Sequence, residues 1–351
     1  MKNIEVQPFG RLKTGRETYL YTLKNKNNMS IRITDYGASL EAVLLPQKTG
    51  VLRDVVLGFD SVSGYEDTAL YLGATIGRYA GQIRGGSFWL NGEQYSLFKN
   101  DHGNTLHGGR HGFDKHCFTA SPDEDKNMVT FLASIEDGEE GFPGNLQIGS
   151  SYRLTDENEI IMVHTARSDK DTVLNMTNHS YYNLDGHDSG SIEDHRLKIC
   201  GSRFLELSED CCPNGNILDV SGTPMDFLNM TRIGERIGVP YPQLKISEGY
   251  DHNWNIEWTE GVIRKIAVLE SSSGDVRMEV FSDLPGLQFY SGNYLNGSEA
   301  GKGGCRYGFR TGLCLEPQYY PAAPNYKHFP AAVLRRNETY KHTIKLKFYC
   351  L

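Results

Sequence analysis

Two histidines, His107 and His179, a glutamate at 316 and an aspartate at 251 are the side chains best placed by their neighbours to move protons. His179 stands in Asn178-His179-Ser180-Tyr181-Tyr182-Asn183-Leu184, seven polar or aromatic-rich positions without glycine or proline. On a strand, alternate side chains face opposite ways, so His179, Tyr181 and Asn183 would share one face and Ser180 and Tyr182 the other. The plainer alternative is a core histidine satisfied by its neighbours. Glu316 interrupts the apolar run Leu313-Cys314-Leu315-Glu316-Pro317-Gln318, where a carboxylate is costly to bury unless it is paired or used. Its plainer alternative is a partly exposed strand end stopped by Pro317. A carboxylate and imidazoles, with ordinary pKa values of about 4.3 and about 6.5, suit acid and base roles near neutral pH.

Three further polar clusters surround these groups in sequence. They are Gly77-Arg78-Tyr79-Ala80-Gly81-Gln82-Ile83-Arg84, the stretch Asn104-Thr105-Leu106-His107-Gly108-Gly109 with Gly112-Phe113-Asp114-Lys115 after it, and Tyr250-Asp251-His252-Asn253-Trp254. Glycines beside His107 allow unusual backbone angles and close approach of a ligand, or simply a tight turn. Neither a phosphate-binding G-x-x-x-x-G-K-[ST] loop nor a G-x-S-x-G nucleophile elbow competes. The seven cysteines lack C-x-x-C or His-rich zinc spacing, which suits free thiols and no metal.

The elements that must carry these side chains read as strands. Glycine is abundant at 38 residues, beside 20 tyrosines and 15 phenylalanines, and helical period is scarce. Val276 to Phe281 and Thr343 to Phe348 alternate polar and apolar residues, the pattern of half-buried antiparallel strands. Similar runs occur at Ser39 to Leu45, Val129 to Ile135, Leu146 to Leu154, Ile160 to Ala166, Ile263 to Glu270 and Leu287 to Tyr290. Asn91-Gly92, between Phe88-Trp89-Leu90 and Gln94 to Leu97, predicts a hairpin with a type I′ turn. One short helix is expected around Met225 to Ile237. No repeat or composition break divides the chain, so a single domain, 1–351, is expected.

A net charge of −8 supplies no basic footprint for nucleic acid or an anionic membrane. Met1 to Gly10 holds no apolar core for a signal peptide, and no segment approaches the roughly 20 apolar residues that span a bilayer. A cytoplasmic protein, monomer or homodimer, is the expectation.

Taken in order, these clusters resemble the galactose mutarotase (aldose 1-epimerase) family over essentially the whole chain. The resemblance rests on Gly77-Arg78, Leu106-His107-Gly108-Gly109 with Gly112-Phe113-Asp114-Lys115, Asn178-His179-Ser180-Tyr181, Tyr250-Asp251-His252-Asn253, Pro285-Gly286-Leu287-Gln288-Phe289-Tyr290 and Leu315-Glu316-Pro317-Gln318. It implies an all-β fold, a large antiparallel β-sandwich with few short helices, acting without metal or cofactor on the anomeric carbon of a free aldohexose. It also implies that Glu316 is the general base for the C1 hydroxyl and His179 the general acid at the ring oxygen. His107, Asp251 and Gln288, joined by Tyr181, Gln82 and Arg78, would bind the sugar. One place departs from the family. Where Asn and Arg usually follow Gly-Arg-x-Ala, this chain has Gly81 and Gln82, and Gln lacks the charged guanidinium fork. Arg84, two residues on, is the candidate replacement if this segment is a strand. That departure keeps two alternatives open: a sugar-binding or regulatory protein of the same fold, and a hexose 6-phosphate epimerase. A glycosidase using Glu316 and Asp251 as paired carboxylates is supported by residue type alone.

Overall fold

The computed structural model describes residues 4–48 and 50–351. Met1 to Asn3, at the head of the stretch read for a leader, lie outside the described residues.

Alternation in sequence becomes alternation of faces. Glu159–Ser168 and Thr339–Cys350 pair along nine registered positions, and each buries every second residue, among them Ile160, Met162, Ile344 and Leu346. They form the middle of a nine-stranded sheet that also holds Met128–Ile135, Leu146–Leu154, Arg264–Glu270 and Val276–Ser282. A five-stranded sheet runs from Ile4–Arg11 to Leu52–Asp54, and a six-stranded sheet contains Asp251–Asn255, Gly286–Tyr290 and Leu313–Gln318. All ladders between the described strands are antiparallel. The expected strands are all present, with ends shifted by a few residues.

The six-stranded sheet explains where the site is. Its inner face sends Trp254, Leu287, Phe289, Leu313 and Leu315 into the main core, where they join Ile31, Leu40, Phe131, Met162 and Leu346 from the other two large sheets. Burying such side chains gives roughly 1.5–3 kcal/mol each. Its other face must then carry the intervening residues: Asp251 and Asn253, Gln288 and Tyr290, Cys314, Glu316 and Gln318. Leu313–Gln318 is therefore buried at all six positions. The strand runs through Pro317 rather than stopping there. On its far side only Leu313 and Cys314 are paired, with Tyr182 and Tyr181, so the missing N–H of Pro317 breaks no ladder bond.

The hairpin forms as expected, Ser87–Leu90 against Glu93–Ser96, with Asn91 and Gly92 at φ +53° and +84°. The helix expected at Met225 to Ile237 does not form. Met225 and Phe227 both turn into the core, an i, i+2 spacing no helix allows, and Thr231–Arg232 adds as an edge strand to Arg196–Ile199 before a 3-10 turn, Ile233–Glu235. Packing of Phe227 against Tyr250, Trp254 and Phe289 overrides a weak helical preference. The α-helices among the described residues are Val62–Asp67 and Pro242–Ile246, the second opened by a proline at its first turn.

Candidate active site

Three neighbouring strands set side chains directly opposite one another: Asn253 faces Gln288, Gln288 faces Glu316, and Tyr290 faces both Asp251 and Cys314. Opposite residues on one face lie close enough to touch. Gln288 Nε2 donates to Asp251 Oδ1 at 2.8 Å. Gly286 occupies the place opposite Gln318, where a side chain would strike the Asn253 amide.

His179 enters from the connecting segment. The strand Thr177–Asn178 pairs with Thr75–Ile76, the His179 N–H donates to the Ala74 carbonyl at 2.9 Å, and its own carbonyl accepts from Gly73 N–H at 2.9 Å. Asn178 and Ser180 turn the other way and lock each other, with Asn178 Nδ2 donating to the Gly73 carbonyl. Tyr181 shares the His179 face as expected, with ring centroids 5.1 Å apart. Asn183 does not. The strand ends at Tyr182, and the turn that follows uses the Asn183 amide to cap the Gly190 and Thr311 carbonyls.

His107 lies on a loop that only flexible residues can make, at φ +53° and followed by Gly108 and Gly109 at +93° and +105°. A side chain on Gly108 would collide with the Gly77 carbonyl. The Gly81 N–H donates to His107 Nδ1 at 3.1 Å, which leaves the ring proton on Nε2. Gly81 has φ +76° and its missing side chain leaves room for the Pro321 ring, so glycine fits this place.

These groups line one cleft of about 330 Å³, walled by Leu70, Tyr71, Leu106, Tyr290 and Tyr294, with Gln82, Asp101, His102, Cys211 and Gln318 also reaching it. His179 Nε2 is 3.7 Å from Glu316 Oε1. That is beyond hydrogen-bond contact, and the attraction does not repay burial. Burial drives the His179 pKa down to about 4 and holds Glu316 well above the carboxylate range, where the charge of Asp251 adds to the effect. Both shifts favour the shared proton on Glu316 rather than on His179. Asp251 is pushed up to about 7 by burial, with Gln288 opposing. His107 is driven well below the usual imidazole value by burial and then by His179, so it is a neutral donor through Nε2. Glu316 Oε2, Gln288 Oε1 and both amide atoms of Gln318 are buried without a hydrogen-bond partner. Four unpaired polar atoms beside one cleft are groups arranged for a polar ligand.

Of the sequence-derived residues, His107, His179, Tyr181, Asp251, Gln288, Glu316 and Gln82 come together in this cleft. Arg78 does not. Its guanidinium turns inward and donates to the carbonyls of Pro143 (2.6 Å) and Gly144 (3.1 Å), because this segment approaches a loop that needs those carbonyls satisfied. Arg84 also points elsewhere. The strand ends at Ile83, a 3-10 turn follows, and Arg84 bonds the Cys212 and Pro213 carbonyls, so Gln82 has no cationic stand-in. Sequence reading missed Tyr71, whose ring lies with its centroid 4.8 Å from that of His107, and Gln318 and Cys314. The last two sit at i+2 and i−2 from Glu316, and strand alternation alone would have placed them on its face.

A three-sheet antiparallel sandwich with a polar, acid–base-bearing cleft on its six-stranded sheet defines the class of protein. The family model described as aldose 1-epimerase matches residues 19–347. Galactose mutarotase of Bos taurus is 37% identical over 340 residues, 97% of each chain. Aldose 1-epimerase of Escherichia coli K12 is 36% identical over 337 residues, 95% of this chain and 96% of its own. The crystal structure of galactose 1-epimerase from Lactobacillus acidophilus superposes with a TM-score of 0.87 at 30% identity, covering 99% of both chains. The chain belongs to the aldose 1-epimerase family, a family of isomerases.

Proposed function

We propose that this protein interconverts the α and β anomers of free aldohexoses such as galactose or glucose. The observation that carries this reading is the buried Glu316 and His179 pair, 3.7 Å apart at the wall of a cleft rich in hydroxyl-binding groups. Glu316 takes the proton from the C1 hydroxyl while His179 gives one to the ring oxygen. The O–H electron pair becomes the second C1–O bond, the C1 to ring-oxygen bond breaks, and the open aldehyde forms. Rotation about C1 to C2 and reversal of both transfers closes the other anomer. Each proton transfer contributes about 10²–10⁴ in rate.

Ring opening begins with carboxylate and imidazolium and ends with carboxylic acid and neutral imidazole. Burial favours the second form with closed and open sugar alike, so the pair must first move its proton from Glu316 to His179, and that cost is recovered as the ring opens. His107 Nε2–H, Asp251, Gln288, Tyr181, Gln82 and Gln318 supply hydrogen bonds to the sugar hydroxyls. No lysine or arginine lines the cleft among the described residues, which suits a neutral sugar better than a sugar phosphate. All seven cysteines are unpaired, as a reducing compartment such as the cytoplasm requires. The main core draws on residues from Ile4 to Phe348, in keeping with one domain.

Polarimetry of freshly dissolved α-D-galactose and α-D-glucose tests the proposal. The protein should speed relaxation, and Glu316→Gln and His179→Asn should each lose about 10²–10⁴ of that rate while still binding sugar by calorimetry. Unaccelerated relaxation of every aldose tried sinks the proposal. Sugar binding without turnover would leave a sugar-binding protein, and full activity in either variant would refute that residue's role.

A further inference from the structure

We propose that Cys314, His179 and Glu316 form a binding site for a thiophilic divalent cation such as Zn²⁺, and that filling it switches the acid–base pair off. A sulfur, an imidazole nitrogen and a carboxylate oxygen from these residues all lie within 4.8 Å of one another, and all three residues are buried. Cys314 Sγ is 3.6 Å from His179 Nδ1, and Glu316 Oε1 is 3.7 Å from His179 Nε2. Ligand atoms around a tetrahedral zinc ion, with bonds of about 2.0–2.3 Å, stand roughly 3.5 Å apart. The two distances to His179 are to opposite ring nitrogens, and one ion takes only one of them. With ligand atoms up to 4.8 Å apart, the cluster must contract by roughly 1.3 Å, a movement that the side-chain torsions of Glu316 and Cys314 can supply.

Two further features point to a ligand. Glu316 Oε2 is buried with no hydrogen-bond partner, a lone pair open to a ligand. His179 and Glu316 line the open cleft, which gives the ion a way in and leaves its fourth position for water. The donor set also sorts cations. Thiolate and imidazole suit zinc and cadmium, whereas magnesium and calcium demand six or more oxygens. Strand alternation explains why the thiol is there: Cys314 and Glu316 are two residues apart on one face of Leu313–Gln318, opposite Tyr290 and Gln288.

On binding, the thiol loses its proton and the pair loses the one it shares, both to solvent, and the sulfur, nitrogen and oxygen lone pairs fill three metal sites. A metal-bound Glu316 cannot take the C1 hydroxyl proton, and a metal-bound nitrogen cannot serve the ring oxygen. Inhibition therefore rests on the acid–base reading above, while binding itself does not.

The test is polarimetric, with each variant referred to its own metal-free rate. Zn²⁺ should inhibit the wild type in competition with sugar, reversibly with chelator, and Mg²⁺ at far higher concentration should not. Cys314→Ser and Cys314→Ala should each need at least about tenfold more Zn²⁺, the loss typical of weakening a metal site. Cys211→Ser, changed at a cysteine that lines the cleft outside the cluster, should keep wild-type sensitivity. In parallel, Cd²⁺ titration should raise an ultraviolet thiolate-to-metal absorption in the wild type that both Cys314 variants lack. Equal Zn²⁺ sensitivity of the Cys314 variants, relief in Cys211→Ser instead, or no such absorption in the wild type would overturn the site. If no sugar is turned over at all, the cadmium absorption alone still decides whether the ion binds.

Discussion

Glu316 and His179 share one proton, so the cleft should work only across the pH range in which exactly that count holds, and the pair titrates as a unit. Below about pH 4, where His179 also becomes protonated, no base remains. Above the raised pKa of Glu316 no proton remains to give. The rate, corrected for the uncatalysed reaction, should therefore be level near neutrality with an acid limb near pH 4 and a basic limb well above the ordinary carboxylate range. Asp251 contributes to that upper limit through its charge, so Asp251→Asn should move the basic limb to lower pH. An unmoved basic limb would dissociate Asp251 from the pair. In sequence this pair was assigned by the family resemblance, since alone His179 in its polar stretch reads equally as a satisfied core histidine and Glu316 as a strand end. Arg78 and Arg84 were misplaced because nearness to glycines in sequence carries no information about which carbonyls a long side chain will cap. Tyr71 left no signal, since its position on the cleft depends on a loop with φ +58°.

At the scale of the element, three strands serve both core and cleft, and the division follows residue parity. Phe289 points into the core against Tyr250, Trp254 and Phe227, while Gln288 points into the cleft. Phe289→Ala should cost about 3–5 kcal/mol in stability by denaturant titration. The folded fraction should keep its turnover within a few-fold. Gln288→Met should do the reverse, weakening sugar binding at a smaller stability cost of about 1–3 kcal/mol, set by the lost Nε2–H bond to Asp251. A variant pair that moved both properties together would contradict the division of faces. This parity is also why the strands and the Asn91-Gly92 turn could be read in advance: period two and turn chemistry are local. The helix expected near Met225 failed because its outcome was not local. Phe227 is held by rings contributed from residues 250 to 289, and only the assembled sheet supplies them. Glu316 shows the same limit. Pro317 reads as a stop, yet the strand continues because pairing on its far edge ends at Cys314.

At the scale of the molecule, the buried ionisable groups set how stability responds to pH. Five buried histidines are depressed by burial: His164, His179 and His195 to about 4, His252 to about 3, and His107 well below its ordinary value. The unfolded chain protonates them near 6.5, so each favours folding above that pH and loses its contribution as pH falls towards the folded value. Five buried carboxyls are raised by burial: Asp35 and Asp114 to about 6, Glu41 and Asp251 to about 7, and Glu316 well up. At Glu41 burial outweighs the nearby Lys302 and Arg32. The unfolded chain ionises these near 4, so each favours folding below that pH and loses its contribution as pH rises through the folded value. Between pH 5 and 6 the two sets pull in opposite directions. Each unmatched proton is worth about 1.4 kcal/mol per pH unit, so five on one side alone would tilt stability by about 7. Matched, they should leave the unfolding free energy level to within about 2 kcal/mol across that unit. Asp114→Asn removes one carboxyl and leaves the histidines in excess. Its stability should therefore rise between pH 5 and 6, relative to the wild type, by up to about 1.4 kcal/mol. Denaturant titration at both pH values measures this. A wild-type slope of several kcal/mol, or an Asp114→Asn slope of the opposite sign, would mean that the carboxyls are ionised in the folded protein and that burial is compensated elsewhere.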